Sequence, residues 1–309
     1  IVIKLFTHRD DPDGIGSVIL TRMLTEDFDF TLCKGIKELD EHIKEFLKNQ
    51  ECKNYDQVFI TDLCPSDKTL QEIEKDQNLS KKLKVFDHHQ SSMDEMTKKY
   101  SFVTSMVKKK DTPCCGTSLY YEYLLNETKN ALLQKKSVME FVEKTRLHDT
   151  WEWKKENDLI AFHLQTLFQV LGPYGYYYHF FDKLSKADDF SYTKQEENWI
   201  KTQERTNQQL IEELAKQISS KSYQNHQVGI VFGSYSVRNN LAEYLIEKRK
   251  DLDILMLIAV DNQSVSFRSL KDDVEVRSLA EKYGGGGHEK AASCLFQDIE
   301  PLLLERVLK

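Results

Sequence analysis

No stretch of this chain approaches the roughly 20 consecutive apolar residues that a membrane-spanning helix needs. Its opening segment, IVIKLFTHRDDPDG, also lacks the charged, apolar and small-residue order of a secretory signal. No Cys-x-x-Cys pair occurs: Cys33, Cys52, Cys64, Cys114, Cys115 and Cys294 are scattered through 309 residues, too long a chain to depend on disulfide staples. These absences lead us to expect reduced, mainly structural thiols and a soluble, cytoplasmic protein. A broad basic surface is missing too. The formal net charge of −7 argues against coating long nucleic acid, including long duplex DNA, by neutralising many phosphates at once, while a small local phosphate site stays compatible with it. No solenoid-length repeat or low-complexity tract is present.

What is present repeats one phrase. Short apolar runs at Ile1 to Phe6, Phe28 to Leu32, Val58 to Ile60 and Leu83 to Phe86 each end in a polar cluster, and amphipathic stretches such as Ile15 to Leu24 and Leu39 to Leu47 lie between them. That is the βα unit, and it predicts a mostly parallel sheet flanked by helices. From Gly116 to about Ser220 the spacing becomes helical, the polar run Lys194 to Ser220 reading as a long connecting helix. Alternation resumes with VGIVFG, a helix over Asn240 to Lys248, then ILMLIAV and SVSFRSL around a turn at Asp261-Asn262. The expected fold is therefore α/β: an N-terminal sheet domain over residues 1–190, a helical connector over 191–221 and a smaller α/β domain over 222–309.

Three strand ends carry metal-binding or proton-handling side chains. His8, Asp10, Asp11 and Asp13 crowd the first, Asp62 follows the third, and Asp87-His88-His89 closes the fourth. Each cluster alone could be a turn or a helix cap. Jointly they deliver carboxylates and imidazoles to one edge of a parallel sheet, where open α/β folds bind ligands. Asp149, at the end of a helical segment, is a further candidate. Such a set without thiolates favours manganese or magnesium, with zinc or iron as alternatives. In the second domain, Gly284 to Gly287 followed by His288 joins a helical segment, Val276 to Lys282, to the strand-like AASCLF, and four residues without Cβ let backbone N–H groups approach an anion. Arg268, in SFRS, could fork onto a phosphate.

Read together, these motifs resemble the DHH phosphoesterase superfamily with its DHH-associated C-terminal domain, across both expected domains. The resemblance implies that His8, Asp11, Asp13, Asp62, His88 and Asp149 ligate two manganese ions, magnesium or another divalent ion being the alternative. Asp62 would bridge them and His89 would face the scissile phosphate. Arg268, Gly286, Gly287 and His288 would hold the substrate's phosphate or terminal nucleotide. The spacing from His8 to Asp13 lies between the forms of different branches, which leaves Asp10 and Asp11 as alternatives. Asp11 is favoured because Asp11-Pro12-Asp13 keeps an alternating acid pair, with Asp10 supporting from behind and Asp87 orienting an imidazole. The run Asp149-Thr150-Trp151-Glu152-Trp153 resembles the nanoRNase branch, so the expected activity is hydrolysis of short oligoribonucleotides. A soluble cyclic-dinucleotide phosphodiesterase, a 3'-phosphoadenosine-5'-phosphate phosphatase and a catalytically inactive nucleotide-binding module are the alternatives.

Overall fold

The structure is a computed structural model that describes residues 1–89 and 94–295. The chain divides into two compact units, Ile1–Ile200 and Lys201–Lys309. The expected C-terminal domain thus ends in a segment, 296–309, that lies outside the described residues.

The first unit is built on β1 (Ile3–His8), β2 (Phe28–Cys33), β3 (Gln57–Thr61), β4 (Leu83–Asp87) and β5 (Val103–Ser105), all parallel in the order β2-β1-β3-β4-β5. Strand alternation explains why both faces are covered. Ile3, Leu5 and Phe59 enter one core, while Phe6, Val58, Ile60 and Val85 enter the other. The connecting helices are α1 (Pro12–Leu24), α2 (Ile36–Lys48), α3 (Asp67–Lys75), α4 (Leu79–Lys82) and α5 (Asp94–Lys99). Ser66 caps α3, its hydroxyl accepting from the Thr69 N–H.

After β5 comes a two-stranded ribbon, β6 (Lys108–Lys109) and β7 (Thr112–Pro113). Helices α6 (Gly116–Glu127), α7 (Lys136–Asp149), α8 (Trp153–Glu156) and α9 (Leu159–Lys186) follow. Helix α9 breaks at Gly172, whose φ of 66° precedes Pro173. In the aromatic stretch beyond the break Tyr176, Tyr177 and Phe180 are buried, as their helical spacing predicts, while Tyr174 and Tyr178 are exposed.

Helix α10 (Lys194–Gln217) contains the division between units, with Ile200 in the core of the first and Ile211 and Leu214 in that of the second. The second unit holds a mixed sheet, in the order β12-β13-β11-β10-β9-β8. Its strands are β8 (Ser219–Tyr223), β9 (His226–Gly233), β10 (Ile254–Ala259), β11 (Ser264–Ser269), β12 (Gly286–His288) and β13 (Ala291–Leu295), accompanied by α11 (Arg238–Lys248) and α12 (Arg277–Glu281). Among the described residues no helix is long and apolar enough to cross a membrane.

Candidate active site

In the order 2-1-3-4-5 the chain turns back at the β1/β3 pair, and the crevice beyond the carboxyl ends of those strands is where such sheets bind ligands. A buried hydroxyl relay locks that edge: Thr61 Oγ1 donates to Thr7 Oγ1 at 2.8 Å, and Thr7 donates to the Gly14 carbonyl at 2.9 Å. His8 ends β1, and its Nδ1 lies 2.6 Å from Asp11 Oδ2 and 3.5 Å from Asp62 Oδ2. Asp11 also caps α1, its Oδ1 accepting from the Gly14 N–H at 2.9 Å. Gly14 is required because a Cβ there would lie 2.0 Å from the His8 carbonyl oxygen. Asp10 takes a different place, bonded to Arg9 Nε at 2.8 Å, and Asp11 is the one of the pair that joins the cluster.

Asp62 is buried just past β3 with φ at 58°, a left-handed backbone that Asp tolerates better than bulkier residues. His88 Nε2 stands 3.2 Å from Asp62 Oδ1, 3.4 Å from Asp149 Oδ2 and 3.7 Å from Asp13 Oδ2. Asp149 arrives as the last residue of α7, and Glu152, not Asp149, precedes the next helix as its cap residue. Asp87 lies behind: it is buried, and its Oδ1 is 2.8 Å from His89 Nδ1. Three overlapping triplets each bring one donor atom per residue within 4.8 Å of the others: His8, Asp11 and Asp62; Asp62, His88 and His89; Asp13, His88 and Asp149.

Two contributors escape a sequence reading. Asp13 Oδ2 accepts from the Gly116 N–H at 2.7 Å and its Oδ1 from the Thr117 N–H at 2.8 Å, so the amino end of α6 holds this carboxylate. A Cβ at Gly116 would stand 2.7 Å from the Asp62 Cβ. Arg146 is the other: its guanidinium donates to Glu143, to the Pro113 carbonyl and to Glu152 Oε2, the last at 2.5 Å, clamping the turn after Asp149. In sequence Gly116 marks only a helix start, and nothing links it to a carboxylate 103 positions earlier.

The electrostatics are those of a buried anionic cluster. Burial works against charging His88, yet Asp62, Asp149 and Asp13 push it up to about 11. His89 goes up to about 9, its desolvation outweighed by the Asp87 hydrogen bond and the Asp62 charge. Burial raises Asp149 to about 6, with Asp62 and Asp11 adding to the shift and His88 opposing it. Asp13 is likewise raised by burial and then by Asp62 and Asp149. Asp62 moves the other way: its burial is overcome by His8 and His88, which hold it below the usual carboxylate range.

The substrate-binding candidates of the second unit share one sheet. Arg268 of β11 pairs with Ala291 of β13, which pairs with His288 of β12, so Arg268 and His288 lie in one cross-strand row. Arg268 is half-buried and donates to Asn239 Oδ1 at 2.9 Å and to the Phe267 carbonyl at 2.8 Å; burial and the neighbouring Arg238 charge lower it to about 10. The glycines divide their work. Gly287, at φ 140°, presses on Ala291 and Ala292, whereas a Cβ at Gly286 would meet nothing within 4 Å among the described residues.

Residues 2–144 match the DHH family, N-terminal domain. Over 298 residues the sequence is 27% identical to oligoribonuclease NrnB of Bacillus subtilis (strain 168), which spans 95% of this chain and 73% of that protein. The N-terminal part of the chain is thus similar to the DHH family. Among solved structures, the DHH domain of a protein assigned to a family of ribosomal proteins has a TM-score of 0.63 at 15% identity, with 98% of this chain and 85% of that one covered. Exonuclease RecJ bound to manganese has a TM-score of 0.54 at 17% identity, covering 99% and 88%. At such identities the likeness is one of fold.

DHH enzymes depend on divalent metals, and the residues of this chain fit such ions. The donor set is carboxylate oxygen and imidazole nitrogen. Among the described residues no hydrogen bond reaches the buried Asp149 Oδ2, and burial with mutual repulsion raises Asp13 and Asp149; added cations would satisfy that oxygen and relieve both carboxylates.

Proposed function

We propose that this protein is a manganese-dependent phosphodiesterase of the DHH family that hydrolyses short oligoribonucleotides, with His8, Asp11, Asp13, Asp62, His88 and Asp149 as ligands of two ions. The observation that carries this reading is the sharing of Asp62 and His88 among overlapping triplets, so that these two residues would be common to the donor sets that hold the ions. The relationship to NrnB supports the choice of substrate. When bound, such ions supply an activated water and stabilise charge on the phosphoryl oxygens.

The chain's own residues do the remaining work. Asp62 is held between His8 and His88, so its two oxygens face different partners. The Gly116 and Thr117 N–H groups fix Asp13 from behind, which pre-organises it without a reorganisation step. Asp87 orients the His89 ring through Nδ1, and His89 is assigned to donate a hydrogen bond to a non-bridging phosphoryl oxygen. Arg268, with Gly286, Gly287 and His288, is assigned to the substrate's phosphate or terminal nucleotide. Arg268→Ala is expected to raise KM for a dinucleotide about tenfold or more while lowering kcat less, the signature of lost binding in both ground and transition states. An unchanged KM counts against that assignment.

The test of the substrate class is one manganese-supplemented assay across dinucleotides, longer RNA, cyclic dinucleotides, 3'-phosphoadenosine-5'-phosphate and pyrophosphate. Dinucleotides are expected to have the highest kcat/KM. A preference for any of the last three would replace the oligoribonuclease reading.

A further inference from the structure

Immediately beyond Asp149 the backbone does something that the metal cluster does not require. Trp151 has φ at 62°, in the left-handed region, and among the described residues it is the one aromatic side chain there; the other non-glycine cases are Gln, Asp, Lys and Asn. A bulky residue at positive φ is strained, and such strain persists only where surrounding contacts enforce it. Here they do. The Trp151 N–H donates to the His148 carbonyl at 3.2 Å, the Thr150 N–H to the Arg146 carbonyl at 3.0 Å, and Arg146 grips Glu152 on the far side of the turn.

The ring held this way is not core. Trp151 is 49% exposed, although it sits two residues from Asp149, a half-buried carboxylate of the site, a chain distance of about 7 Å at most. Its neighbours extend an aromatic wall: its ring centroid is 6.5 Å from Trp153, which lies 4.5 Å from Phe162, which lies 5.2 Å from His163. Trp153, Phe162 and His163 are half-buried and form the wall's foundation. Lys154 brings its ammonium to 4.7 Å from the Trp151 ring centroid and 5.4 Å from that of Trp153, placing a cation beside the rings. An exposed, rigidly mounted indole with a cation alongside, next to an anionic catalytic edge, matches a ligand that carries a flat ring and a phosphate on one short frame.

We propose that Trp151, backed by Trp153 and Phe162, is a stacking platform for a nucleobase of the substrate and that it makes the enzyme select nucleotide over other phosphate esters. The inference rests on the phosphodiesterase reading above and adds to it the group that recognises the base. Stacking on an aromatic face is tolerant of base identity, so the platform confers a preference for nucleotides as a class without a sequence preference.

Steady-state kinetics on a dinucleotide, with the manganese-loaded full chain, test this. Trp151→Ala is expected to raise KM about tenfold with kcat changed by less than about twofold, and Trp151→Phe to restore KM to within about threefold of the parent. Inhibition by AMP should weaken by the same factor in Trp151→Ala, while inhibition by ribose 5-phosphate, which has no base, should not change. Trp151→Gly separates recognition from packing. Glycine adopts positive φ without strain, so this variant should melt at or above the parent temperature while sharing the raised KM.

Unchanged KM in Trp151→Ala, equal weakening of AMP and ribose 5-phosphate, or a melting temperature several degrees lower in Trp151→Gly would each overturn the proposal. If the parent cleaves no dinucleotide, it is the phosphodiesterase reading that fails. The platform is then read by fluorescence alone: quenching by AMP but not by ribose 5-phosphate, lost in Trp151→Phe, upholds it, and the absence of quenching refutes it.

Discussion

Asp62→Asn is expected to cut dinucleotide turnover at least about a thousandfold, equivalent to ~4 kcal/mol of barrier, in a protein that remains folded. Asp62 is shared by two of the donor triplets and touches both His8 and His88, so removing its charge weakens both proposed ion positions together. Asparagine is the informative replacement. At φ 58° alanine would add backbone strain to the loss of charge, whereas asparagine takes the left-handed region about as readily as aspartate. Turnover within about tenfold of the parent at saturating manganese, with an unchanged circular dichroism spectrum, would remove Asp62 from the mechanism.

The second large effect is expected at a residue with no functional group. In Gly116→Ala the new methyl would stand 2.7 Å from the Asp62 Cβ and 2.8 Å from its Cα and N, so backbone as well as side chain must move. The same substitution shifts the N–H groups that hold both oxygens of Asp13. Overpacking of this kind costs about 1–3 kcal/mol of stability. A displacement near 1 Å at a reacting centre costs on the order of a hundredfold in rate. Gly116→Ala should therefore lose roughly a hundredfold in kcat and several degrees in melting temperature. Gly35→Ala is the control: its Cβ meets nothing within 4 Å among the described residues, and both quantities should stay near the parent. Parent-like kinetics in Gly116→Ala would show that the helix α6 amino end does not set the carboxylate geometry.

The contrast between these two residues explains what the sequence reveals and what it hides. Asp62 and Asp87-His88-His89 are visible because each follows an apolar run that must be a buried parallel strand, and parallel strands end on a common edge. The order of the strands, which sets His8 opposite Asp62 at the reversal of the sheet, follows from topology and not from local pattern. Gly116 stays hidden because its partner is distant in the chain and its own neighbourhood, Cys-Cys-Gly-Thr-Ser, carries no chemistry beyond a helix start. Strands β5 and β12 are three residues long, too short for alternation to register. The pairing of Arg268 with His288 in one row needs the register of β11, β13 and β12, although each motif is separately recognisable. The strain at Trp151 is invisible in sequence because tryptophan carries no preference for positive φ.

The central claim is that carboxylates and imidazoles gathered at one sheet edge hold divalent ions for phosphodiester hydrolysis. Titrating chelator-stripped protein with manganese while following cleavage of a dinucleotide tests it most directly. The account predicts no mononucleotide product before addition and a rate that saturates near two ions per chain. Dinucleotide cleavage by the stripped protein, or saturation of manganese binding with the dinucleotide left intact, would contradict it.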